Sequence, residues 1–229
     1  MTHTMHTSDC KMIYLARRNP ALTPEAFPQA WREHSALGRQ CKNVQDRVRS
    51  VTQCVRLLTP QLAGVSSGYD GVNLLGLRDR ASADAIWTDP ETLAIMRPDE
   101  PRVFDRYVRD FTLVAQEQVL AAAPPSDAVL LGFFKRDAHT DASTLEDALT
   151  TLTRPWAEVR RCVLNRVEPQ RPPGYDFDVI VEWWFDDADH LIQALTHTPL
   201  PATLARPLAG LTDPAASVFM ATRVSHRRP

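Results

Sequence analysis

Several absences narrow this chain before any residue is singled out. Its four cysteines (Cys10, Cys41, Cys54 and Cys162) form no CxxC pair, so neither a zinc cluster nor a disulfide framework is expected. No apolar run approaches the length of a membrane span. The opening MTHTMHTSDC lacks the basic start and apolar centre of a signal peptide, which sets the expectation of a cytoplasmic protein. Charge of one sign is missing too. Lys and Arg number 26 against 28 Asp and Glu, a formal −2, which gives no electrostatic reason to bind nucleic acid or an anionic membrane. There is no GxGxxG, phosphate loop, GxSxG or HExxH, so no metal and no cofactor is expected.

What is present is a repeat. GYDGVNLLGL at 68–77 is echoed by GYDFDVIVEWWF at 174–185, and QCVRLLTPQ at 53–61 by RCVLNRVEPQ at 161–170. The openings KMIYLARR at 11–18 and VLLGFFKR at 129–136 match as well. Between the halves AAAPPSD, 121–127, reads as a linker. The chain therefore divides into repeats of residues 1–122 and 127–229.

The pattern predicts a strand over 11–18 and a helix starting at Thr23-Pro24-Glu25, with Phe27, Ala30, Trp31 and Leu37 on its apolar stripe. Strands follow at 48–58 and from Asp70, then a helix broken near Pro90, then a strand from Phe111. The order β-α-β-β-α-β is ferredoxin-like. The expected fold is α+β, with two ferredoxin-like βαββαβ repeats packed sheet to sheet as an intramolecular α+β barrel. On the strand at 176–185, Phe177, Val179, Val181, Trp183 and Phe185 form a face suited to lie under helices. The alternate face carries Asp178, Ile180, Glu182 and Trp184, which suggests an enclosed lumen with acidic groups.

MIYLARRNPALTPEAFPQAWREHSALG, together with GYDGV, resembles the EthD-like family of the dimeric α+β barrel superfamily. The resemblance covers most of 11–120 and, more faintly, 129–226. It implies a fused pair building internally the barrel that single-unit relatives make by dimerising. It also implies either an accessory protein or a cofactor-free enzyme on polyketide-like intermediates. Trp31 and His34 are three residues apart where the family usually has four, although both spacings keep one helix face.

The candidate chemistry centres on His34, which lies on the apolar stripe and titrates near neutral pH. The alternative is a core histidine bonded to a backbone carbonyl, and the helix STLEDALTTL of the second repeat has no counterpart. Tyr69 could polarise a carbonyl and Asp70 could orient an imidazole, although Gly-Tyr-Asp-Gly is also good turn chemistry. At an offset of 106 residues, Asp178 and Glu182 face Val72 and Gly76, so neither acid is repeated. Glu182 in a closed lumen could act as acid or base. Tyr14, Trp31, Asp178 and Trp184 are expected to shape the substrate pocket. His3 and His6 have a metal-like spacing in a terminus with no core to join, and His190 and His197 read as surface residues.

The expected function is a cofactor-independent lyase, isomerase or cyclase acting by proton transfer on a small, apolar oxygenated molecule held in the lumen. A non-catalytic binding protein and a monooxygenase or haem-binding relative are the alternatives. Neither nucleic acid nor membrane is an expected partner, and a homodimer of fused barrels is left open.

Overall fold

The computed structural model describes residues 9–124 and 126–228; His3 and His6 lie outside the described residues. Eight strands form the barrel: β1 (Cys10–Ala16), β2 (Val48–Arg56), β3 (Gly71–Leu77), β4 (Thr112–Ala121), β5 (Ala128–Phe134), β6 (Arg161–Val167), β7 (Val179–Phe185) and β8 (Val218–Arg228). Between β1 and β2 lie α1 (Phe27–Leu37) and α2 (Lys42–Arg47). Between β3 and β4 lie α3 (Arg80–Thr88), α4 (Pro90–Met96) and α5 (Glu100–Val103). The second half carries α6 (Ala142–Thr151), α7 (Ala188–His197) and α8 (Leu200–Leu204).

The strands close into an antiparallel barrel in the order β1-β3-β2-β8-β5-β7-β6-β4. Read from β4, the first half contributes 4-1-3-2 and the second 8-5-7-6, the ferredoxin-like order twice. Each four-stranded sheet has one apolar face left after its helices dock, and closing the two sheets on each other buries both. The seams are β2 with β8 and β4 with β6.

Cross-strand partners share a face, so the register identifies what fills the barrel. Ile13 pairs Leu74 and Leu113, and Leu131 pairs Glu182 and Met220. These side chains pack inward with Phe133, Ile180 and Trp184, nearly all without solvent exposure. Much of the interior is a packed core, while one end of the barrel keeps a cavity of about 310 Å³ lined by Lys11, Leu74, Glu117, Arg161, Glu182 and Trp184. Val179, Val181, Trp183 and Phe185 do lie beneath α6 and α7, with Leu145, Leu149 and Leu191. Phe177 does not join them, because it precedes the regular strand and packs edge-on against Phe133.

Two other expectations are corrected. Thr23 caps a turn, accepting from the Ala26 N–H at 3.2 Å, and the helix proper begins at Phe27 with Pro28 in its first turn. Asp178 does have a counterpart. Leu15 pairs Val72 where Phe133 pairs Ile180, an offset of 108 in the third strand of each half, which equates Asp178 with Asp70. The two aspartates do the same work: Asp70 Oδ2 accepts from Arg18 N–H at 3.0 Å, and Asp178 Oδ2 from Arg136 N–H at 2.8 Å. The Gly-Tyr-Asp echo is thus out of register by two residues, yet its tyrosines meet, Tyr69 and Tyr175 lying edge to face at 6.3 Å.

Candidate active site

The residues proposed for chemistry separate into three places. His34, Tyr14 and Trp31 come together on the outer face of the first sheet, under the helices. Glu182 and Trp184 lie inside one end of the barrel. Tyr69, Asp70 and Asp178 stand at the strand starts, where the aspartates hold loops to arginines.

The first place contains a cavity of about 80 Å³ between β1, β2 and β3 below and α1, α3, α4 and α5 above. Tyr14, Gln53 and Asn73 rise from the sheet, and His34 descends from α1. Apolar walls come from Trp31, Leu75, Ile86 and Met96. The Phe27–Trp31 stack and the edge contact of His34 with Phe104 at 5.4 Å fix the helix face that looks inward.

His34 Nδ1 lies 2.9 Å from Asp99 Oδ2, and Asp99 Oδ1 accepts from Arg102 Nε at 2.6 Å. The Arg102 contact leads the effects that hold Asp99 below the usual carboxylate range, so it stays ionised. Burial pulls His34 below the ordinary imidazole value, and the hydrogen bond to Asp99 opposes this only in part. A neutral ring beside an ionised Asp99 must donate Nδ1–H, a tautomer assigned from the network. Nε2, without a partner among the described residues, is then a basic nitrogen on a ring that lines the cavity.

The polar groups around it are unusual for so apolar a space. Gln53 Oε1 and Asn73 Oδ1 are buried without a hydrogen-bond partner, and such orphans are normally satisfied by water or ligand. Burial raises Tyr14, with Glu100 adding to the effect, so the phenol remains a donor. Glu100 is raised by burial as well, although its Oε2 accepts from Val108 N–H at 2.8 Å.

Asp99, Glu100, Gln53 and Asn73 escaped the sequence reading. Asn73 and Gln53 are polar residues within otherwise apolar strands, a signal that was present in GVNLLGL and VTQCV. Asp99 and Glu100 sit at the start of a short helix, where acids are ordinary.

Glu182 is surrounded differently. Its Oε1 accepts from Lys11 Nζ at 2.7 Å and Asn165 Nδ2 at 2.9 Å, and its Oε2 from Trp184 Nε1 at 2.9 Å. Burial pushes the carboxyl up, but Lys11 and these donors outweigh it and hold it below its usual range. Lys11 also contacts Glu117. Three donors thus hold this carboxylate, which also lines the cavity at that end of the barrel. No group of three or more His, Cys, Asp or Glu side chains could hold a metal among the described residues. No helix among them is long and apolar enough to cross a membrane.

A closed eight-stranded barrel with a histidine–aspartate pair in a cavity beneath one set of helices defines a two-unit α+β barrel protein. Residues 19–107 match the EthD domain family, and that segment holds most of the cavity. Solved structures agree on the fold. An anthrone oxidase-like protein aligns with a TM-score of 0.65 at 12% identity, covering 97% of this chain and 94% of that one. A candidate monooxygenase from Fusobacterium nucleatum subsp. nucleatum gives 0.61 at 6% identity over 98% and 95% of the two chains. A chlorite dismutase mutant from Candidatus Nitrospira defluvii gives 0.52 at 12% identity over 94% and 91%. Comparison with curated protein sequences finds no match.

Proposed function

We propose that the chain is a cofactor-independent enzyme of the lyase or isomerase type, acting by proton transfer on a small apolar oxygenated molecule in the cavity under α1. The observation that carries this reading is His34, a neutral imidazole anchored through Nδ1 to Asp99, with Nε2 left over an apolar pocket. Such a nitrogen can remove a proton from carbon beside a carbonyl, and Asp99 then stabilises the imidazolium. The Tyr14 phenol, or an amide N–H of Asn73 or Gln53, can donate to the oxygen that gains charge. The proton then returns to another atom, which gives isomerisation, or a leaving group departs, which gives elimination.

The experiment is His34→Ala assayed on candidate carbonyl compounds, with the fold checked by circular dichroism. Loss of turnover on the order of 10²-fold or more is expected for a general base; full turnover in a folded variant would discard the assignment. Oxygen uptake during the same assay is the measurement for a second reading, because two fold neighbours bear oxidase or monooxygenase names. In that case the carbanion left by proton removal would be trapped by dioxygen.

A further inference from the structure

The last strand does not stop at its own sheet. Along β8, His226 pairs Gln53 and Arg228 pairs Val51, so the end of the second half lies beside β2 of the first. Gln53 and Val51 face the cavity, and the pairing turns His226 and Arg228 to that same side. Arg228 itself lines the cavity together with Gly38 and Ser35. From α1, Arg32 reaches across to donate to the Ser225 carbonyl at 3.3 Å, and Arg39 follows Gly38 in the turn after the helix.

The result is a rim of three guanidiniums and one imidazole. Among the described residues none of the four has a carboxylate partner, whereas eleven other arginines do. Burial, with Arg39 adding to it, depresses Arg228; burial again, then Arg32, Arg39 and Arg228, depresses His226. Cations gathered so that they disfavour one another carry a standing cost, which a bound anion relieves.

We propose that this rim is an anion seat, and that the substrate carries a carboxylate or phosphate group at the mouth of the cavity while its apolar body lies within. The inference rests on the cavity being the ligand site. A guanidinium offers paired donors matched to either oxyanion, and a half-buried one does so with little screening. The seat also explains a division of labour: the second half, which lacks a histidine in its own first helix, contributes the strand end that completes the site of the first.

Two probes of one shape test this in the full chain: 2-naphthoate and its neutral analogue 2-naphthamide, followed by quenching of tryptophan fluorescence. Wild type should bind the carboxylate about tenfold more tightly at low salt, with the preference fading as salt rises. Arg39→Gln combined with Arg228→Gln should bind both probes alike, with Tm unchanged. Equal affinities in wild type, or a preference that persists in the double variant, would overturn the seat. Displacement of naphthoate by inorganic phosphate supports a phosphate-bearing substrate, and its absence a carboxylate. If neither probe binds, the cavity reading fails, and calorimetry with inorganic phosphate alone decides the rim. Heat lost in the double variant keeps it; no heat in wild type removes it.

Discussion

The proposed reaction turns on how one imidazole is held. Arg102 fixes Asp99, Asp99 fixes Nδ1 of His34, and burial keeps the ring neutral. Because the folded pKa lies below the ordinary value of about 6.5, the basic form persists to lower pH than in a free histidine. The acid limb of a kcat/KM profile should therefore fall below that value. Asp99→Asn should slow turnover by about 10²-fold or more, because the amide no longer stabilises the imidazolium or selects the tautomer. Stability follows the same sign. As pH drops through about 6.5 the unfolded chain takes up a proton at His34 that the folded chain refuses, so the folded state is weakened, a trend that thermal melts against pH would read.

Among the elements, α1 and β3 are bound together more tightly than any sequence pattern reveals. A Cβ at Gly71 would lie 2.4 Å from Trp31 Cζ3 and 2.8 Å from the Cys54 carbonyl oxygen. Only glycine lets the indole lie flat against the start of β3, and the indole is also a wall of the cavity. Gly71→Ala should cost about 1–3 kcal/mol in chemical denaturation, and should weaken binding of any cavity ligand. Helix and strand order were legible because hydrophobic periodicity records them locally, as were His34, Tyr14 and Trp31 near the cavity. Which face of the sheet carries the cavity beside His34 was not. Nearly every residue of β1 is buried, so alternation could not separate the lumen face from the helix face. The partners of Glu182 were equally hidden, since the sequence carries no sign that Lys11, Asn165 and Trp184 meet it. The Asp70–Asp178 equivalence was hidden by matching letters two residues out of step.

At the scale of the molecule, Lys11 and Glu182 join the two halves through the barrel interior. Lys11→Met would leave Glu182 a buried carboxylate without its cation, at a cost of about 3–5 kcal/mol. Combining it with Glu182→Leu should recover most of that loss, since an apolar pair needs no desolvation. Equilibrium unfolding of the two variants checks both statements. The single variant should regain some relative stability in acid, where the orphaned carboxylate accepts a proton. If the double variant proved no better than the single, the pair would owe its worth to something other than charge.

The seams described above also impose an order on biosynthesis. β2 is made well before its hydrogen-bonding partner β8, so until β8 emerges the outer edge of β2 and the inward face of the first sheet have nothing to cover them. A nascent first half in that state resembles an open hairpin seeking a strand, and another nascent copy offers one. Joining both units in one polypeptide keeps the correct strand tethered nearby, and so favours closure within a chain over adhesion between chains.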